Sequence, residues 1–356
     1  MLAVSAAAVL TLAACGSPTA DPATTQPQPQ TQVTNSAGSV TDLTNLPLGD
    51  SHVSTSTAAV GSIFVCGSGG APGGGGTGKD GPWIHSNGTF DLTTKLTVAG
   101  SVAWPTANVS ITESGGQRVI TGNNLPVGHS TGTFPIAVSD PAHAYDANPN
   151  HIAAQTISKS ITLTPTVAAA PGCVNGGPIG YATTGVPFFD GLDAENRDAV
   201  AHEIQDKCGG HPNQDSSYHY HSASTCIPGE KNHTPTLIGY ALDGFGIYNG
   251  YDASGKQLTN NDLDACHGTT SAVTWNGSTQ AIYHYVATAA YPYLIGCYKG
   301  GNVGASQRPG GGSAQRSAGA CPPPPSGMPP GQPPGNGQNR PPPPPGCGPP
   351  PSQPGG

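Results

Sequence analysis

The chain has 356 residues and a formal net charge of −8 with histidine neutral. That balance argues against nucleic acid or an anionic lipid surface as the main partner. Gly (52) and Pro (38) dominate the composition while charged residues are only 9%, which is not the pattern of charge-driven disorder. The twelve histidines equal Lys plus Arg, so the net negative charge shrinks steeply as pH falls through about 6.5.

Residues 1–15 open with Met-Leu-Ala-Val-Ser-Ala-Ala-Ala-Val-Leu and reach Leu12-Ala13-Ala14-Cys15. An apolar run this short, ending in small residues, is the core of an export signal and cannot span a bilayer. The last four residues resemble a bacterial lipobox, with Cys15 as the lipidated residue. No Lys or Arg precedes Cys15, so the usual basic start is expected upstream of Met1. Residues 16–50, rich in Thr, Gln and Pro, have little apolar surface to bury and read as a flexible tether.

All twelve histidines, three tryptophans and twelve tyrosines fall within 51–301. This segment is expected to be one mainly β domain with one or two short helices, a disulfide-stapled sandwich or barrel-like fold between disordered ends. Thr, Val, Ile and Tyr runs bounded by Gly, Pro, Asn and Asp predict strands at Lys95–Val98, Val109–Thr112, Arg118–Thr121, Ser158–Leu163, Ser217–His221, Thr236–Leu242 and Ala281–Val286. Asp243-Gly244 reads as the turn of a hairpin. The Gly-rich loop 67–78 lacks a following Gly-Lys-Ser/Thr and is not read as a phosphate loop. A helix is predicted from Ala194 to Asp206 with Asp193 as its cap. The helical period puts His202 on the polar face, solvated beside Asp198 and Asp206 or turned toward other histidines. Residues 302–356 carry no aromatic residue and only Arg308, Arg316 and Arg340 as charges. They read as a Pro/Gly tail in extended, partly polyproline conformation.

Of nine cysteines, eight remain if Cys15 carries lipid, an even number that suits an exported chain. Chain order suggests the pairs Cys66–Cys173, Cys208–Cys226, Cys266–Cys297 and Cys321–Cys347. The absence of any Cys-x-x-Cys argues against a closed thiolate zinc site.

The densest chemistry lies between Cys208 and Cys226. His211, His219 and His221 fall there, interleaved with Tyr218 and Tyr220. On a strand, His219 and His221 project from one face, about 7 Å apart at Cα, and can share one metal ion. His211, between Gly210 and Pro212, can fold back as a third ligand, with His202 and His267 in reserve. Asp215, Glu203 and His284 are candidates for outer-sphere partner or general base. Histidines with carboxylates suit zinc or copper. The plain alternative is a hydrogen-bonded polar cluster at a sheet edge. A second group, Cys266-His267-Gly268 with Tyr283-His284-Tyr285 and Cys297, echoes the first, but Val286 replaces the last histidine.

The stretch from Arg118 to Gly301 resembles the YHYH family through Tyr218-His219-Tyr220-His221. The likeness extends to Gly132-Thr133-Phe134-Pro135-Ile136, Gly185-Val186-Pro187-Phe188-Phe189, and Asp198 to Glu203. It continues with Gly210-His211-Pro212, Gly239 to Phe245, Leu263 to Gly268, and Tyr283-His284-Tyr285 with Pro292-Tyr293. The resemblance implies an exported bacterial protein and carries no established reaction. Three function classes therefore stay open. One is a metal-binding surface lipoprotein held to the membrane through Cys15. Another is a metal-dependent hydrolase of envelope or extracellular polymers. The third is a carbohydrate-binding or adhesion module with structural histidines. A serine hydrolase is unsupported, because no Gly-x-Ser-x-Gly appears.

Overall fold

The computed structural model describes residues 41–67, 79–301 and 303. The signal segment with Cys15, most of the tether, the Gly-rich loop beyond Gly67, the Cys321–Cys347 pair and all of the tail but Val303 lie outside the described residues. The chain joins the fold already at Leu46, within the stretch whose composition reads as tether. β1 (Leu46–Pro47) pairs with β4 (Thr89–Phe90), and β2 (Val53–Ser54) pairs with β3 (Ile63–Phe64).

A three-stranded antiparallel sheet follows, made of β5 (Val109–Ser114), β6 (Gln117–Gly122) and β7 (Ile157–Thr162). The larger sheet holds eight strands: β8 (Pro178–Ala182), β9 (Pro187–Phe189), β10 (Gly210–Pro212), β11 (Tyr218–Tyr220), β12 (Leu237–Ala241), β13 (Gly246–Tyr248), β14 (Gly268–Trp275) and β15 (Ser278–Val286). Their order across the sheet is β10-β11-β9-β8-β12-β13-β15-β14. The fold is thus mainly β, and this sheet is open and mixed. Six of the seven expected strands form. Lys95–Val98 does not: Val98 makes only an isolated bridge to Asp206.

β8 and β12 lie at the centre of the large sheet, antiparallel, with Tyr181 opposite Tyr240. Each has a glycine where the two strands press together. A Cβ on Gly180 would sit 2.5 Å from the Tyr240 carbonyl oxygen, and one on Gly239 would sit 2.6 Å from that of Tyr181. Ile179, Tyr181, Ala182, Phe188, Ile238, Ala241, Phe245 and Ile247 are all buried. Such continuous burial means that both sheet faces are covered, so a period of two is not visible there. The small sheet touches the large one through Arg118, whose guanidinium stacks on Tyr240 and Trp275 at 4.1 and 4.7 Å from the ring centroids.

The predicted helix over 194–206 shrinks to one turn, α1 (Ala199–His202). The cap is Asp198, which accepts from the Val200 and Ala201 N–H groups, and not Asp193. Asp193 instead accepts from the Glu195 and Arg197 N–H groups, and Asn196 between them has φ of 61°. Side-chain capture of backbone donors competes with helix, and a left-handed residue ends it. His202 is buried, not solvated. Among the described residues no helix is long and apolar enough to cross a membrane.

Three disulfides staple the fold: Cys66–Cys173, Cys208–Cys226 and Cys266–Cys297. These are the pairs expected from chain order. The second joins the residues just before β10 and just after β11, and so closes the strand pair that carries the histidines.

Candidate metal centre

β10 and β11 pair antiparallel with His211 opposite His219. His211 is therefore a strand residue facing its neighbour, where the sequence suggested a turn folding back. Alternation along β11 sends Tyr218 and Tyr220 to one face and His219 and His221 to the other. The tyrosine face is an anchor. The Tyr218 hydroxyl donates to both carboxylate oxygens of Asp206 at 3.0 and 2.9 Å, and Tyr220 sits 2.6 Å from His129 Nε2. Both tyrosines are fully buried.

On the other face three imidazoles converge, all buried. Their ring centroids are 4.6 Å (His211–His219), 5.3 Å (His211–His221) and 4.9 Å (His219–His221) apart. His219 Nδ1 lies 3.2 Å from the Ser217 carbonyl oxygen, and His221 Nδ1 lies 2.5 Å from that of Asp190. A carbonyl can only accept, so both Nδ1 atoms carry their protons. This leaves Nε2 of each ring as the lone-pair nitrogen of the neutral form, and the two Nε2 atoms face one another at 3.1 Å. Two lone pairs at that distance need a cation between them, either a proton or a metal ion.

Glu203 brings a carboxylate to the same point. Its Oε2 lies 3.2 Å from His221 Nε2 and 3.4 Å from His211 Nε2. Glu203 follows α1 in extended conformation, and its carbonyl accepts from Lys95 Nζ at 2.7 Å, which also donates to Gln205 Oε1 at 2.8 Å. Phe189 stacks on His219 with centroids 4.0 Å apart. Buried without a hydrogen-bond partner are Glu203 Oε2 and both ring nitrogens of His211. Buried polar atoms are seldom left so.

The charges follow from this crowding. Burial, then the neighbouring His219 and His221, hold His211 well below the usual imidazole range, and burial with His221 does the same to His219. Burial also works against a charge on His221, but the Glu203 carboxylate and the Asp190 carbonyl carry it above its ordinary value. Burial lowers Lys95 to about 8 despite Glu203, Asp146 and Asp198. Burial raises Asp190 to about 6 against the pull of His221.

Three of these donors, His211, His219 and His221, come close enough together to share one ion, and Glu203 falls outside that group. Metal–nitrogen bonds of about 2.0–2.1 Å in a tetrahedron set neighbouring donors roughly 3.3 Å apart. The separations of 3.1, 3.2 and 3.4 Å straddle that value, and one ligand atom from each of His211, His219 and His221 lies within 4.8 Å of the others. His129, Cys208 and Cys226 also come within such a distance, but the two sulfurs are joined in a disulfide and offer no thiolate.

The remaining candidates are held elsewhere. His202 has both ring nitrogens engaged, Nδ1 with Asp80 at 3.0 Å and Nε2 with Asp50 at 2.9 Å. His267 Nε2 meets Thr288 Oγ1 at 2.9 Å. Asp215 is exposed and caps the Ser217 N–H. His284 is buried against Tyr248. Lys95, Phe189 and Asp190 were not singled out by sequence reasoning. Phe189 closes the Gly185–Phe189 match and Asp190 directly follows it, which could have drawn attention to both as site residues. Lys95 lies over a hundred residues before Glu203, with no local signal.

The profile of the YHYH protein family matches residues 158–259, which span β7 through β13 and include α1 and all three clustered histidines. No curated protein and no solved structure matches the chain.

Proposed function

We propose that this domain binds one divalent transition metal ion, zinc or copper(II), through His211, His219 and His221, with the Glu203 carboxylate beside His211 and His221. The observation that carries the reading is the facing pair of Nε2 atoms at 3.1 Å, each on a ring whose Nδ1 proton is already committed to a carbonyl. Ring orientation fixed through the second nitrogen is how protein metal sites hold histidine ligands. His211 Nε2, buried without a hydrogen-bond partner, supplies the third donor.

Three histidine donors leave a fourth position, and hydrolysis needs that position open to water, whereas its occupation by a protein group would make the site a binding site alone. Tyr218 and Tyr220, fully buried, present no face on which a sugar could stack. Metal analysis of the purified domain tests the proposal. One ion per chain is expected. Retention of none after dialysis against equimolar zinc, and of none against copper, overturns it.

The protein is further proposed to work outside the cytoplasm, on the extracytoplasmic face of a bacterial membrane, anchored through lipid on Cys15 and close to envelope polymers. Three disulfides in the fold support an oxidising compartment. Cys15→Ser is expected to move the protein from the membrane fraction to the soluble exported fraction. A protein that stays with the membrane after that change, or one found reduced in the cytoplasm, would sink the placement.

A further inference from the structure

The large sheet repeats itself. Between β8 and β12 it divides into β10-β11-β9-β8 and β14-β15-β13-β12, the same order read outward from the centre. In each half the inner pair is antiparallel, the next contact is parallel, and the outer pair is antiparallel again. Tyr181 opposite Tyr240 marks the pseudo-twofold. The sequence follows suit. Ile179-Gly180-Tyr181-Ala182 stands against Ile238-Gly239-Tyr240-Ala241, three residues before Gly185 and Gly244, both with positive φ.

The equivalence reaches individual atoms. Asp193 takes the N–H groups two and four residues on, and so does Asp252. Asp206 accepts from the Cys208 and Gly210 N–H groups and from the Tyr218 hydroxyl. Asp264 accepts from the Cys266 and Gly268 N–H groups and from the Tyr283 hydroxyl. Gly209 and His267, both at positive φ (73° and 71°), occupy one position in the two turns. Gly210 and Gly268 each lie flat under their tyrosine, where a Cβ would come within 2.3 Å of the ring or its hydroxyl. Each turn begins at a disulfide, Cys208–Cys226 or Cys266–Cys297.

At the position of the metal centre the two halves share a backbone and part of the side-chain set. His284 Nδ1 donates to the carbonyl two residues back, Ile282 at 3.0 Å, as His219 does to Ser217. Tyr248 meets His284 edge-on with centroids 4.9 Å apart, where Phe189 stacks on His219 at 4.0 Å. Opposite His284 stands Thr269, where His211 stands opposite His219. Two residues after His284 stands Val286, in the place of His221, buried. We propose that the halves are copies of one ancestral unit, and that the second retains a latent metal site lacking the ligands displaced by Thr269 and Val286, with Asn261 in the place of Glu203 three residues before the capping aspartate.

The proposal rests on the metal reading of the first half, and the experiment separates the two. Thr269→His/Val286→His is made in the full chain, and zinc and cobalt(II) are titrated separately into it and into the parent. The parent is expected to bind one ion and the variant two, the second being lost again when His284→Ala is added. A variant that keeps three disulfides and the parent's melting temperature but binds only one ion overturns the latent site. A parent that binds none overturns the first-half reading instead. In that event, or if the variant does not fold, a crystal structure of the parent decides. Superposing β8–β11 on β12–β15 should bring Thr269, His284 and Val286 onto His211, His219 and His221. A mismatch in register there refutes the duplication.

Discussion

Two halves of one sheet hold the same frame, and only one of them gathers three histidines. The frame is a set of buried bonds: a tyrosine hydroxyl on an aspartate that caps its own turn, a glycine under the tyrosine ring, and a disulfide beside both. All of these recur as Tyr218-Asp206-Gly210-Cys208 and Tyr283-Asp264-Gly268-Cys266. On the opposite face the side chains differ, His211 and His221 in one half corresponding to Thr269 and Val286 in the other. The Tyr face of the Tyr-His-Tyr motif therefore builds the fold, and the His face is where chemistry is placed or withdrawn. A motif shared by both halves cannot itself be the functional signal. His221, and His211 opposite His219, are carried by one half alone.

The largest expected effect breaks that asymmetry. His219→Ala/His221→Ala should abolish stoichiometric metal binding, while His284→Ala leaves metal content unchanged. Elemental analysis of the dialysed proteins checks both. Equal losses in the two variants would show that the halves are not functionally distinct.

Opening the disulfides comes next. Cys208–Cys226 and Cys266–Cys297 close loops of 18 and 31 residues. Chain entropy assigns each about 3–4 kcal/mol. Paired Cys→Ser variants should lose similar amounts in denaturant melts, yet only the first should also weaken metal binding, because it frees β10 from β11.

Tyr218→Phe and Tyr283→Phe test the frame itself. Each removes a hydrogen bond to a buried carboxylate, for which about 1.5–3 kcal/mol is typical. The two costs should agree, and a cost confined to Tyr218 would mean that the second half no longer needs its anchor.

The smallest effect is in pH. Burial holds His267 down to about 3, so it is neutral in the fold while the unfolded chain protonates near its ordinary value. Its contribution to stability is complete above about 6.5 and declines as pH falls toward the folded value, at no more than about 1.4 kcal/mol per pH unit. His221 has the opposite sign in the metal-free protein. Its raised value gives a contribution that is complete below about 6.5 and is lost as pH rises through the folded value. His267→Asn, which suits the left-handed backbone there, should flatten the acid limb of a stability–pH curve. An unchanged acid limb would remove His267 as its source.

Much of the frame was legible in the chain. Strands such as Val109–Thr112 and Ala281–Val286 show in Thr, Val and Ile runs between turn residues, because strand pairing is a local pattern repeated. His219 and His221 share a face because alternation is a property of the strand alone. Cysteine order paired correctly because the disulfides join segments that fold next to one another. The helix over 194–206 was misread because an apolar period says nothing of Asp193 and Asp206, whose side chains take backbone donors away from a helix. The duplication was visible only as two Tyr-His-Tyr groups. The Ile-Gly-Tyr-Ala pair lay in the sequence, but its meaning depends on β8 meeting β12.

The sequence by itself determined that three histidines lie between two cysteines, and that two of the three face the same way. Which other groups join them was decided by the tertiary structure. Glu203 reaches the site because one turn of helix ends there and Lys95, from 108 residues away, holds its carbonyl. His202 is taken out of contention by Asp50 and Asp80, at separations of 152 and 122 residues. Spacing along a strand fixes where side chains point. Burial and long-range partners fix which of them are left without a hydrogen bond, and those unpartnered atoms are what make this cluster the candidate metal site.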